Sequence, residues 1–108
     1  MGTISIAEAK TIAERAAMSD VKRFMKDDLS PLMDYFATGG NCWFFFRRRD
    51  ILIPIQLGLL PASCYAVSIW GDLRYIADFY DDKEKLEEYL KTMSNFFVRE
   101  HAKKKGSS

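Results

Sequence analysis

The chain has 108 residues, of which 48% are hydrophobic, 14% aromatic and 29% charged, a balance that fits one soluble globular domain and excludes a disordered chain or two full domains. Sixteen Lys and Arg against fifteen Asp and Glu leave a formal charge of +1, so neither a cationic nucleic-acid scaffold nor an acidic solvating tail describes the whole chain. Any charged site has to be a local patch. We expect a single α+β domain over residues 1–105, with 106–108 a disordered tail or an expression remnant.

The opening MGTISIAEAK lacks the basic start, apolar core and small-residue cleavage site of a signal peptide, which makes the cytoplasm the expected location. Ser5 followed by Glu8 has the form of a capping box and predicts a helix start. Ile6, Ala9, Ile12, Ala13 and Ala16 then recur at helical spacing, and the alanines make a narrow face suited to close packing. Val21, Phe24, Met25 and Leu29 extend the stripe after a break at Met18-Ser19-Asp20, where Ser19 or Asp20 is placed to cap a second helix; one bent helix or two short ones both fit.

Ser30-Pro31 interrupts the pattern. Leu32 to Phe36 reads as a short strand, the alternative being a helical turn with Pro31 at its first position. Ala37 to Asn41 is a turn-rich link. Cys42 to Arg48 carries Trp43-Phe44-Phe45-Phe46, four consecutive aromatics that predict a central strand buried on both faces. Ile51 to Gly71 holds no charge and is long enough to span a bilayer. However, Pro54, Gln56, Gly58, Pro61, Ser63 and Ser68 interrupt it, so a loop between two short strands is the better reading and no membrane partner is expected. Cys64 to Phe79 reads as a hairpin with Gly71 at the first central position of a two-residue turn. That register sets Trp70 opposite Leu73, Ser68 opposite Tyr75, Ala66 opposite Ala77 and Cys64 opposite Phe79. It leaves Tyr65, Val67 and Ile69 with Arg74, Ile76 and Asp78 on a second face suited to solvent or a partner. Asp81 is the expected N-cap of a last helix with the stripe Leu86, Tyr89, Leu90, Met93, Phe96 and Phe97. Arg99 and Lys103-Lys104-Lys105 form its basic end. The predicted architecture is an antiparallel sheet of about four strands, with an N-terminal helix or helices and a C-terminal amphipathic helix packed on it.

No strong catalytic motif is present, and no enzyme activity is expected. Cys42 and Cys64 read as reduced core residues, without the spacing of a metal site. His101, the one histidine, falls in the basic tail with nothing to orient it. Asp81, Asp82 and Glu84 are explained more simply as a helix cap than as metal ligands, and Gly39-Gly40 lacks the rest of a phosphate-binding loop. No cofactor or metal is expected. Arg47-Arg48-Arg49 next to aromatics is the main nucleic-acid hint, although strand alternation sets Arg48 opposite its two neighbours unless the strand has ended. From Asp72 to Glu100 eight carboxylates face five bases, an acidic rim that reads as a solvated helix face or as a docking surface for a basic protein. On the docking reading the partner-binding residues are Trp70, Asp72, Arg74, Asp78, Tyr80, Asp81, Asp82, Glu84 and Glu88.

Ile4-Ser5-Ile6-Ala7-Glu8-Ala9-Lys10, the strand Trp43-Phe44-Phe45-Phe46 and the later Tyr65-Ala66-Val67-Ser68-Ile69 resemble, in order and spacing over residues 4–80, the small cytoplasmic immunity proteins of bacterial toxin systems, including contact-dependent growth inhibition. The resemblance implies a non-enzymatic inhibitor whose partner is the toxic C-terminal domain of a cognate effector, commonly a nuclease, and it transfers no catalytic residue. The alternative is a small nucleic-acid-binding regulator using Arg47-Arg48-Arg49 and Lys103-Lys104-Lys105, which the near-neutral charge does not favour.

Overall fold

A computed structural model of the chain describes residues 2–51 and 64–106. The first helix, α1 (Ile6–Val21), starts where the capping box puts it. The Ser5 hydroxyl accepts from the Glu8 N–H at 3.2 Å, and the Glu8 carboxylate accepts from the Ser5 N–H at 3.0 Å. Its buried stripe is Ala9, Ala13, Ala17 and Val21, one residue per turn, so the backbone approaches the sheet closely with only methyl groups between for most of its length.

The expected helical continuation does not form. A single 3-10 turn over Lys22–Phe24 follows α1, and the chain then bends away. Side chains take over the backbone donors there: Asp27 accepts from the Leu29 N–H at 3.0 Å and Ser30 from the Leu32 N–H at 3.2 Å. These local bonds compete with a helix, and Leu29 is left 65% exposed instead of joining a stripe.

Four strands follow as an antiparallel meander: β1 (Leu32–Thr38), β2 (Cys42–Arg47), β3 (Cys64–Ser68) and β4 (Leu73–Ile76), in that spatial order. The strand reading of Leu32 to Phe36 holds and extends to Thr38. β1 is an edge strand, irregular between Leu32 and Phe36. β2 and β3 are central, pairing Phe44 with Ala66 and Phe46 with Cys64. The loop expected across 52–63 lies outside the described residues.

The aromatic run on β2 is explained by helices on opposite faces of the sheet. Trp43 and Phe45 pack with Ala9, Ala13 and Ala17 of α1, along with Leu32, Tyr65 and Val67. Phe44 and Phe46 pack with Leu86, Met93 and Phe97 of α2 (Lys83–Gly106), along with Cys42, Cys64 and Ala66. Because a strand alternates faces, both helices need large apolar residues from the same strand, which removes the usual polar alternation. Gly106, assigned from sequence to the tail, is the last residue of α2.

The hairpin register differs from the expected one by three residues: Tyr65 opposes Tyr75 and Cys64 opposes Ile76. The connection is a three-residue loop, Ile69-Trp70-Gly71, not a two-residue turn. The Ser68 N–H donates to the Asp72 carbonyl at 2.9 Å, the Gly71 N–H donates to the Ser68 carbonyl at 3.0 Å, and Gly71 adopts a φ of 92°. The Ser68 hydroxyl accepts from the N–H groups of Trp70 and Asp72 at 3.1 and 3.0 Å. A serine that satisfies two loop donors favours the longer loop with a left-handed glycine at its end. An odd shift also moves the opposed residues to other faces: the surface proposed around Tyr65 and Val67 lies buried under α1.

At the start of α2 the cap is Asp82, one residue later than expected. Its carboxylate accepts from the Lys85 N–H at 3.1 Å and its carbonyl from the Leu86 N–H at 2.9 Å. Among the described residues no helix is long and apolar enough to cross a membrane.

Candidate protein-docking surface

The structure separates the nine sequence-selected residues into two groups that lie toward opposite ends of α2, whose axis runs about 30 Å from Glu84 to Lys104. Near the C-terminal end lie Trp70, Asp72 and Arg74, all on the β3–β4 hairpin. Each is engaged with α2. The Trp70 indole stacks on the His101 imidazole with ring centroids 4.1 Å apart and planes 5° apart. Asp72 pairs with Lys104 at 2.7 Å. The Arg74 guanidinium lies over the Phe96 ring, 5.6 Å from its centroid, and 4.0 Å from Glu100. The lysine beside it, with the Ser68 hydroxyl, holds the Asp72 carboxyl below the usual carboxylate range against a partial desolvation. His101 is therefore held in place, contrary to the expectation of an unfixed tail residue. Its partner is remote in sequence, so no periodicity pointed to it.

Near the N-terminal end lie Asp78, Tyr80, Asp81, Asp82, Glu84 and Glu88. Asp78 and Tyr80 belong to a packed cluster. Arg49 donates to both oxygens of Asp78, its Nη2 reaching Oδ1 at 2.8 Å, while Asp78 Oδ1 also accepts from the Tyr80 N–H at 2.9 Å. The same guanidinium lies 4.8 Å from the centroid of the Tyr80 ring. Tyr80 meets Tyr35 and Phe46 edge to face, each with centroids 5.5 Å apart, and Tyr35 stacks on Phe46. Tyr35 is nonetheless 46% exposed. Sequence reasoning missed Tyr35 and Arg49 as parts of this surface; strand alternation over Leu32 to Phe36 was the only signal for the first, and none existed for the second.

Beyond Tyr80 the chain is acidic. Asp81, Asp82, Glu84, Glu87 and Glu88 are all exposed, and none of them forms an ion pair among the described residues. Asp81, Glu84 and Glu88 share one side of the first turns of α2, and Glu84 and Glu88 face away from the buried Leu86. The result is an acidic ridge bordered by the exposed Tyr35 and the partly buried Tyr80, whose rings are fixed by packing.

The arginine run is largely consumed inside the fold. β2 ends at Arg47, so the alternation of faces no longer governs the next two residues. Arg48 pairs with Asp27 at 3.0 Å and lies 3.2 Å from Asp50, and it holds the Asp27 carboxyl below its ordinary range. Arg49 is committed to Asp78. Arg47 lies on the α1 side near the Tyr65 phenol, with its Nε buried and lacking a hydrogen-bond acceptor among the described residues. Three guanidinium groups placed in three environments do not form one phosphate-binding strip.

Both thiols are buried and reduced. Burial pushes the Cys64 thiol far above its ordinary pKa, with the Asp78 charge adding to the effect, and burial raises Cys42 against an opposing contact with the Ser94 hydroxyl at 3.5 Å. Both therefore stay protonated at neutral pH, which deprives them of nucleophilic character. Tyr65 is likewise pushed up by burial and by Asp20, to which its hydroxyl donates at 3.2 Å. Among the described residues no three His, Cys, Asp or Glu side chains gather to hold a metal ion.

No family model, curated protein or solved structure matches this chain.

Proposed function

We propose that this chain is an immunity protein that binds and neutralises the toxic C-terminal domain of a cognate bacterial effector, a nuclease being the target class that the resemblance implies. The observation that carries the reading is the acidic ridge of Asp81, Glu84, Glu87 and Glu88, exposed and in no direct ion pair among the described residues, beside the fixed rings of Tyr35 and Tyr80. Enzymes that cleave nucleic acid present basic surfaces to phosphates. An acidic ridge steers such a surface to encounter, and adjacent aromatic area supplies the contact that slows dissociation. The nucleic-acid alternative loses support because Arg48 and Arg49 already hold carboxylates. The cytoplasm, where a toxin of this kind would act, is the location this reading requires.

The test is calorimetric titration of the chain with the toxic domain of the large secreted protein encoded beside it, together with an assay of toxin activity. A tight one-to-one complex with lost toxin activity is expected. Reversing Asp81, Glu84 and Glu88 to lysine should slow association about tenfold or more at low salt while leaving the fold intact. Asp78 and Asp82 are left alone because the first neutralises Arg49 and the second caps α2. Absence of binding would refute the immunity reading; unchanged association in the triple variant would remove the ridge from it.

A further inference from the structure

We infer that the outer edge of β1 is the surface through which two copies of this chain pair, strand against strand, about a two-fold axis at Ala37. The ladder bonds fix which backbone groups are left for such a pairing. The Gly39 N–H donates to the Cys42 carbonyl at 2.8 Å, and on the other side of β2 the Ile69 N–H donates to the Asn41 carbonyl at 3.0 Å. Antiparallel strands alternate hydrogen-bonded and non-bonded pairs. Along the register Ala37 therefore bonds to Phe44, while Phe36 and Thr38, opposite Phe45 and Trp43, turn their N–H and C=O groups outward. Both residues are exposed, and among the described residues no hydrogen bond ends on those outward groups. The irregularity between Leu32 and Phe36 spoils the first half of the edge for pairing, which confines the open ladder to Phe36–Thr38.

This stretch is complementary to itself. With Ala37 on the axis, Phe36 of each copy lies opposite Thr38 of the other, each pair exchanging both N–H···O bonds, with none of the outward groups left over. The two Ala37 methyl groups meet on the α2 side. On the α1 side, where Phe36 packs on Phe45 with ring centroids 5.8 Å apart and is still 37% exposed, the two Phe36 rings become diagonal neighbours. The opposite edge of the sheet fails the same test. The Ser68 N–H bond to the Asp72 carbonyl turns Leu73 and Tyr75 outward on β4, so a two-fold pairing there has its axis at Arg74. It would press two guanidinium groups together and draw each away from Phe96 and Glu100. A charge in that place guards an exposed edge, and β1 has alanine where β4 has arginine. Joining β1 of one copy to β4 of another would not close and would run on into a filament, whereas β1 on β1 closes at two chains.

The pairing is independent of the toxin reading, and its test uses the chain alone. Sedimentation equilibrium at about 10 µM and about 1 mM spans the weak range expected of so short a ladder. The mass should rise from 12.5 kDa toward twice that value. Amide hydrogen exchange at Phe36 and Thr38 should slow about threefold or more at the higher concentration, while Leu73 and Tyr75 stay unchanged. Phe36→Lys alters an exposed side chain and sets like charges diagonally across the axis; Thr38→Pro removes an outward donor without touching a bond to β2. Each should weaken pairing about tenfold or more, with an unchanged circular dichroism spectrum showing that the fold is kept. Tyr75→Lys, the matching change on the other edge, should leave pairing intact. A mass of one chain at both concentrations, a mass beyond two chains, or concentration-dependent protection at Leu73 and Tyr75 would overturn the proposal. So would dimers that survive in Phe36→Lys and Thr38→Pro, or that Tyr75→Lys dissociates equally.

Discussion

Gly39 sits where α2 crosses the β1–β2 turn, and adding one methyl group there tests how tightly the helix is seated. A Cβ at this position would lie 2.9 Å from the Ser94 Oγ, 3.3 Å from the Leu90 Cδ2 and 3.4 Å from the Cys42 carbonyl oxygen. The leucine methyl is the end of a mobile side chain and can give way. The serine hydroxyl cannot move freely, because it is buried in the middle of α2, accepts from the Asn41 N–H at 3.1 Å and touches Cys42. Gly39 does not need a left-handed backbone, since Gly71 is the one described glycine with positive φ. Gly39→Ala should therefore gain about 0.4–1 kcal/mol from a stiffer unfolded chain and lose about 1–3 kcal/mol to overpacking. A net destabilisation of about 1–2 kcal/mol follows. Ser94→Ala alone should cost a similar amount, about 1–3 kcal/mol, by leaving the Asn41 N–H without its acceptor. In the double variant the shortest clash has gone, so its cost should fall short of the sum of the single costs by about 1 kcal/mol. Equilibrium urea unfolding followed by tryptophan fluorescence measures all four corners of the cycle, with an unchanged m-value confirming that the same surface is exposed. A Gly39→Ala variant as stable as the parent, or a strictly additive double variant, would refute the close seating of α2 on this turn.

Further substitutions probe other parts of the fold. Gly71→Ala should destabilise the chain by about 1–2 kcal/mol in thermal or urea unfolding, because its φ of 92° is open to glycine and strained for alanine, although space for the methyl exists. Ala13→Leu should cost at least about 1–3 kcal/mol, since Ala13 is completely buried between α1 and the sheet and a longer side chain has to lift the helix; near-neutral stability would show a looser interface. Asp72 is held below its usual pKa by Lys104, so it contributes stability above the carboxylate's unfolded pKa, and this contribution is lost as pH falls through the folded one. Asp72→Asn should accordingly be less stable than the parent at neutral pH, with the difference shrinking in acid; a constant difference across the acid range would assign the effect to something other than charge.

What could be read from the residues depended on how local its cause was. The capping box of Ser5 and Glu8 and the Leu86, Met93, Phe97 stripe are contained within single elements, and each was legible at the level of individual positions. The four aromatics of β2 announced burial on both faces, although not which helix would cover which residues. Past Val21 the apolar spacing of Phe24, Met25 and Leu29 was misleading, because the side chains of Asp27 and Ser30 take the backbone donors that a helix would need. The hairpin failed for a similar reason. Gly71 was correctly singled out as a turn residue, but the hydroxyl of Ser68 stabilises a loop one residue longer, and register amplifies such an error. For the surface, the acidic ridge was visible as composition, whereas the commitment of Asp78 to Arg49 and of Trp70 to His101 arises from tertiary placement and leaves no trace in spacing.

The layering of the sheet also bears on how the chain reaches its folded state. Each strand pairs with its neighbour in sequence, so the meander closes only short loops, apart from the longer link between β2 and β3, and its pairing is kinetically inexpensive. Once paired, however, it presents apolar side chains on both sides, and only one cover has been synthesised by then. α1 precedes the sheet and is available to it at once. α2 follows, and Phe44 and Phe46 have no lid until Leu86, Met93 and Phe97 have left the ribosome. During that interval the nascent chain carries an uncovered aromatic surface, the kind of intermediate that chaperones bind and that self-associates when they are absent. Truncation before α2 should consequently yield insoluble material even though every strand remains in the sequence.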